Sequence, residues 1–283
     1  MRCLRPSFTN TFIRILQKEN SINLVAQDGQ GIKRFLEDIK NSKLRNTKVL
    51  FVDMKDYTEN YEGLIEALWK QFGKRGKSPK EFWELITKFE TTGKKIIILM
   101  YNFDDLLNNS QTDQKFDVAF FKHLDNLKDK INISLSCVTN QPHDHSPLLI
   151  KGKMHGNSWL DLEKIRLPKL THDEIRFELR GRNLLLSSYE LSQVTWALHA
   201  HTHPYRLLKF FAEKMARHED KNLDISLRIE KWVDQFSHEN FFDATKKINR
   251  FKQFLLMLKG VTTIKLPTMA TFWESFKFVG KKS

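Results

Sequence analysis

Eight residues, Ala-Gln-Asp-Gly-Gln-Gly-Ile-Lys at 26–33, come nearest to spelling out chemistry in this chain. An apolar stretch, Ile-Asn-Leu-Val at 22–25, runs into them, and a segment with Phe35, Leu36 and Ile39 at helical spacing follows. A turn in that context cradles phosphates when it reads Gly-x-x-x-x-Gly-Lys-Ser/Thr. Backbone N–H groups then surround the oxygens, the lysine bridges the outer phosphates, and the hydroxyl holds Mg²⁺. On that template Ala26 takes the first glycine and Gly31 the second, with Gly29 between them. Ile32 falls where the lysine belongs and Lys33 where the hydroxyl belongs. The turn-forming residues are kept and the charge-handling ones are gone.

Metal-assisted phosphate chemistry also needs a second apolar strand that ends in an acid. The run Ile-Ile-Ile-Leu-Met-Tyr-Asn-Phe-Asp-Asp at 96–105 supplies the strand, but Tyr101 and Asn102 stand at its end and the acids, Asp104 and Asp105, come later. A third strand, 131–139, closes on the polar residues Thr139 and Asn140.

Positioning these groups requires a sheet. Strands are expected at 22–26, 47–54, 94–101 and 131–139, with helices at 8–19, 31–41, 61–72, 79–90 (Pro79 at its start) and 113–129. The 94–101 run is apolar without alternation, as a strand covered on both faces must be. Strands alternating with helices predict a parallel sheet flanked by helices. After about residue 170 the pattern turns helical. Thr171 with Glu174 forms a capping box, and helices are expected near 187–200, 204–218, 222–236 and 238–259. The His-, Pro- and Gly-bearing stretch 140–161 reads as a loop and hinge. The expected division is an α/β domain over 1–160 and a helical, basic domain over 161–283.

In their order, these signals resemble the AAA+ and STAND ATPases, ORC-like members included. There the 96–107 stretch is similar to an apolar strand followed by Asp-Glu, and 131–142 is similar to the sensor strand. Ile165-Arg-Leu-Pro-Lys-Leu-Thr171 resembles the passage into the lid, and His203-Pro204-Tyr205 with the apolar helix after it resembles a His-Pro-Tyr lid phrase, two of whose glycines have become His201 and Thr202. The resemblance covers roughly 8–218. It implies a P-loop NTPase-like α/β fold followed by a helical lid. Gly29, Gly31, Ile32 and Lys33 would form a vestigial phosphate loop, Tyr101 and Asn102 the vestigial acid positions, and Asn140 a sensor-like residue.

Three losses, at Ile32, Lys33 and Tyr101, fall on one centre, and phosphoryl transfer depends on charge neutralisation there. Lys33 would have to swing back through about 100° of helical rotation to replace the lysine. The expectation is a non-catalytic scaffold or adapter with no cofactor and no metal, although the loop amides could still take ATP or ADP passively. Two alternatives stay open: an active ATP-dependent switch with an unorthodox loop, and a sequence-nonspecific DNA-binding module. Relatives of the fold serve replication initiation, mobile elements and antiviral defence in microbes, which implies a protein partner in a larger complex.

The chain has 283 residues and a net charge of +13. Residues 151–283 hold 24 Lys and Arg against 15 Asp and Glu, a surplus of 9 of those 13. A basic half suits a polyanion, since neutralising phosphates releases counterions. Lys246, Lys247, Arg250 and Lys252, interleaved with Phe251 and Phe254, are the expected nucleic-acid contacts. No apolar run approaches the ~18 residues of a membrane span, and the beginning of the chain lacks the apolar stretch of a secretory signal. Two cysteines, Cys3 and Cys137, make no disulfide framework, so a cytoplasmic, membrane-free setting is expected. The histidines at 143, 145, 155, 199, 201 and 203 lack a Cys or Glu to complete a metal site.

Overall fold

A computed structural model describes residues 3–18, 21–73, 76–108, 111–140, 148–150, 153–155, 162–182 and 184–239. Five strands form one parallel sheet in the order β2-β3-β4-β1-β7. They are β1 (Ile22–Val25), β2 (Thr47–Asp53), β3 (Lys95–Tyr101), β4 (Ile133–Thr139) and β7 (Glu163–Arg166). The two strands between, β5 (Leu148–Ile150) and β6 (Lys153–His155), make a separate antiparallel pair.

The run in β3 shows why its apolar residues do not alternate. Ile96, Ile98 and Met100 enter one core with Leu50, Val52, Leu135 and the helices α3 (Tyr61–Phe72), α4 (Phe82–Glu90) and α6 (Val118–Asp125). Ile97 and Leu99 enter the other, against α1 (Pro6–Gln17) and α2 (Ile32–Lys40). Period-2 geometry sends successive side chains to opposite faces, and both faces are covered. On the far side of β2, Gln71 from α3 accepts the Phe51 N–H at 3.0 Å and donates to the Phe51 carbonyl at 2.7 Å.

The helical part follows as α7 (His172–Gly181), α8 (Ser188–Ala200) and α9 (Pro204–Ala216). Residues 1–229 make one compact unit and 230–283 a second. Of the second, residues 230–239 are described. They are helical and bury Trp232 and Phe236.

Several expected boundaries move for local reasons. Helix α4 begins at Phe82 and not at Pro79, because the Tyr61 hydroxyl accepts the Phe82 N–H at 2.8 Å and so starts it. The helix expected over 113–129 shortens to α6 plus a 3₁₀ turn, Asn126–Asp129. Asp113 accepts the Lys115 N–H and Asp117, as N-cap, the Phe120 N–H, so two short acids take local backbone donors and delay the helix. The six-residue helix α5 (Phe103–Asn108) replaces a strand-end loop at Asp104 and Asp105. The stretch 140–161 is not wholly a loop, since β5 and β6 lie in it. Strand β7 joins the main sheet where only a passage between domains was expected. The expected helix over 238–259 and the contacts Lys246, Lys247, Arg250 and Lys252 lie outside the described residues.

Candidate functional site

The carboxyl ends of β1, β3 and β4 meet at one side of the sheet, where ligands of open α/β folds collect. From β1 the chain enters the turn 26–31, in which Gly29 and Gly31 both have left-handed backbone, φ 80° and 82°. Gly31 is the N-cap of α2, and no side chain caps that helix. Gly29, Gly31, Ile32 and Lys33 thus lie in a strand-turn-helix unit, between β1 and the first turn of α2.

The turn packs against the start of α9. The carbonyl of Gly29 accepts the N–H groups of Tyr205 and Arg206, each at 3.1 Å. His203 Nδ1 donates to the Asp28 carbonyl at 2.7 Å, and Arg206 Nη1 stands 3.6 Å from Asp28 Oδ2. The N-terminus of α9, which has no side-chain cap of its own, is capped by the loop. A Cβ added at Gly29 would lie 2.5 Å from His203 Cβ, and one at Gly31 would lie 2.7 Å from Tyr205 Cγ. The glycines here admit α9.

Ile32 is buried in the core formed by α1, α2 and β1, and Tyr101 packs against that same core. Lys33, one residue on, is exposed. Burial lifts the Tyr101 phenol to about 12, with Asp28, Asp53 and Asp105 adding repulsion against its anion. Asn102 has left-handed backbone, φ 53°, and donates from Nδ2 to Asp53 Oδ1 at 2.8 Å. Thr139 donates to Asn23 Oδ1 at 2.8 Å, both buried, and the backbone N–H of the exposed Asn140 donates to Asp104. Each polar strand end therefore has an internal partner. No group of three or more His, Cys, Asp or Glu among the described residues is arranged to hold a metal ion.

Behind the loop lies a cluster of charges that motif spacing did not signal. Arg5 is fully buried and donates from Nη2 to the Gln30 carbonyl at 2.5 Å, while its Nε and Nη1 have no partner. Desolvation pulls the guanidinium down to about 10, against the opposing pull of Glu174, Tyr205 and Asp38. On α2, Arg34 meets Asp38 at 2.9 Å and Glu178 of α7 at 3.8 Å, and Glu178 also accepts from Arg182 at 2.9 Å. Burial raises the Tyr205 phenol above its ordinary value, helped by Glu178 and opposed by Arg34 and Arg182. These ion pairs join α2 to α7 on the side of the loop where Tyr205 sits. The one sequence signal for this closure was the phrase His203-Pro204-Tyr205; Arg5, Asp28 and Asp53 had none.

No protein-family model matches the chain, and no curated protein matches it. Among solved structures, a chain of the Drosophila ORC bound to DNA matches at 14% identity, covering 98% of this chain and 78% of its own length, with a TM-score of 0.53. The chain shares the fold of that ORC chain, a parallel α/β sheet flanked by helices and followed by helical parts. Cdc6p of Pyrobaculum aerophilum is similar at 14% identity over 77% of this chain and 62% of its own, TM-score 0.48. PCH-2 of C. elegans is similar at 11% identity over 82% and 68%, TM-score 0.47. The turn 26–31 and the carboxyl ends of β3 and β4 lie at the same side of the sheet. No described helix is long and apolar enough to cross a membrane.

Proposed function

We propose that the chain is a non-catalytic scaffold or adapter of AAA+ fold. It would work without nucleotide, in a microbial nucleic-acid-associated complex such as a mobile element or an antiviral system uses. In this reading the α/β part, 1–160 together with β7, is the platform, and helices α7 to α9 are clamped onto it. The observation that carries the proposal is the Gly29 carbonyl, taken by two amides of α9 while the Tyr205 ring lies on Gly31. A working phosphate loop needs that space for oxygens and a lysine for their charge. In this reading the Tyr205 side chain at Gly31 takes that space, and Ile32, at the lysine position, is part of the apolar core. The basic chain, at +13, supports association with nucleic acid, as does the DNA-bound state of the ORC structure whose fold it shares.

Thermal unfolding with and without millimolar ATP–Mg²⁺ or ADP tests the proposal. A ligand that binds only the folded protein at 100 times its Kd adds about 2.7 kcal/mol, several degrees in a domain of this size at ~2–4 °C per kcal/mol. The expected shift is under about 1 °C, with no phosphate release from ATP. A shift of several degrees that Gly31→Ala abolishes would overturn the scaffold reading in favour of the ATP-dependent switch.

A further inference from the structure

Helix α8 carries apolar residues on two sides. Leu191, Val194 and Leu198 are buried. Tyr189 and Trp196 stay 59% and 61% exposed. They are seven residues apart, so they share one face, about 10 Å from each other at 1.5 Å per residue. Trp196 is held in place: its ring centroid lies 4.6 Å from that of His172 at 61°, and the His172 ring stacks on His199 at 3.9 Å and 21°. Two helices thus fix three rings in one array.

The charge beside that array is mostly positive. Lys169 acts electrostatically on His199, and Arg176 stands one helical turn beyond His172 on α7. Of the acids on α7, Glu174 is taken up in capping Thr171 and Glu178 in pairing with Arg182. That leaves Asp173, which Arg176 meets at 4.0 Å. An aliphatic patch would suit a protein helix. A fixed indole and imidazole surface edged by Lys and Arg suits the flat face of an unpaired base together with its phosphate.

We propose that Trp196, Tyr189, His172 and His199 form a stacking platform for single-stranded DNA, with Lys169 and Arg176 on its phosphates. The proposal rests on the scaffold reading only for the class of partner and is independent of the phosphate loop. It adds a second point of contact to the basic residues at 246–252.

Fluorescence anisotropy of the full chain with fluorescein-labelled dT20 tests it, with duplex DNA and rU20 as comparisons. Trp196→Ala is expected to weaken dT20 binding roughly ten-fold, since base stacking is worth ~1–3 kcal/mol per base, and Trp196→Phe to recover most of it. Lys169→Gln with Arg176→Gln should cut the salt slope by about 1.4, or 0.7 per single-strand contact. Trp83→Ala, at an indole 51% exposed on α4, should leave binding unchanged and controls for nonspecific loss. Unchanged dT20 affinity in Trp196→Ala would overturn the platform alone, leaving the scaffold reading intact. Absence of any oligonucleotide binding by the unaltered chain would overturn it together with the nucleic-acid part of that reading. Tighter binding of rU20 or of duplex than of dT20 would reject single-stranded DNA as the occupant.

Discussion

Two sets of glycines in this molecule share a backbone conformation and differ in everything around them. Gly73, Gly76 and Gly93 have φ of 86°, 105° and 64°, and a Cβ on any of them would meet nothing within 4 Å. Gly29 and Gly31 have φ of 80° and 82°, and a Cβ there would run into His203 and Tyr205. At the first set glycine serves the turn alone. At the second it also leaves room for another helix, whose His203 and Tyr205 lie where a Cβ would be. Glycines at a strand-to-helix turn therefore do not by themselves report a ligand. The same pattern appears when the turn is a socket for the protein's own chain.

Alanine substitution separates the two sets most sharply. Gly31→Ala combines left-handed strain of ~1–2 kcal/mol with overpacking of ~1–3 kcal/mol, so urea unfolding should show a loss of about 2–5 kcal/mol. Gly93→Ala should show the strain alone, about 1–2 kcal/mol. Tyr205→Ala should reduce the extra cost of Gly31→Ala in a double-mutant cycle, and equal losses at Gly31 and Gly93 would mean that α9 does not press on the loop.

Ile32→Ala, at the missing lysine, should cost about 2–4 kcal/mol, as buried Ile truncations do. Ile32→Lys should create no ATP hydrolysis, because Lys33 and Tyr101 still leave the metal unheld. A stability loss at Ile32 no larger than that of an exposed residue would remove the packing account of the site.

Tyr101 gives a smaller effect that depends on pH. Its folded phenol titrates near 12 and an unfolded one near 10, so the unfolded chain loses the proton first. Its contribution to stability is fully present below pH 10 and is lost as the pH rises toward 12. Tyr101→Phe should flatten that alkaline slope, and an unaltered slope would put Tyr101 in water. Smallest of all, Lys33→Ala should change stability by less than about 0.5 kcal/mol and should not alter the response to nucleotide. A marked change would show the lysine reaching the loop after all.

How much of this the sequence disclosed follows from the range of each interaction. Strand β3 was legible because five adjacent residues, Ile96 to Met100, supply both core faces at once. The start of α7 was legible because Thr171 and Glu174 cap it within four residues. Strand β7 was not, since Glu163, Lys164 and Arg166 are polar and exposed and only its pairing with β1 makes it a strand. The strand-turn-helix unit at 22–40 was legible from its apolar run, its glycines and the helical spacing after them. The packing of α9 on that turn was not, because the contact joins residues 28–31 to 203–206 and leaves no local trace. Arg5 looked like an unremarkable cation ahead of Pro6 until burial set it beneath Gln30.

The hydrogen bonds from Gln71 to Phe51 have a bearing on how the molecule behaves among its neighbours in solution. Strand β2 is an outer strand of the sheet, and its far side presents main-chain groups that a strand from another molecule could pair with. The Gln71 amide offers one acceptor and one donor, as a neighbouring peptide would, and it occupies the middle of that edge from within the chain. It works as a chain terminator for the sheet. Gln71→Ala would leave the Phe51 N–H and carbonyl open on that edge, and it is expected to raise light scattering with rising protein concentration, whereas an unchanged signal would mean that the edge is guarded by other groups.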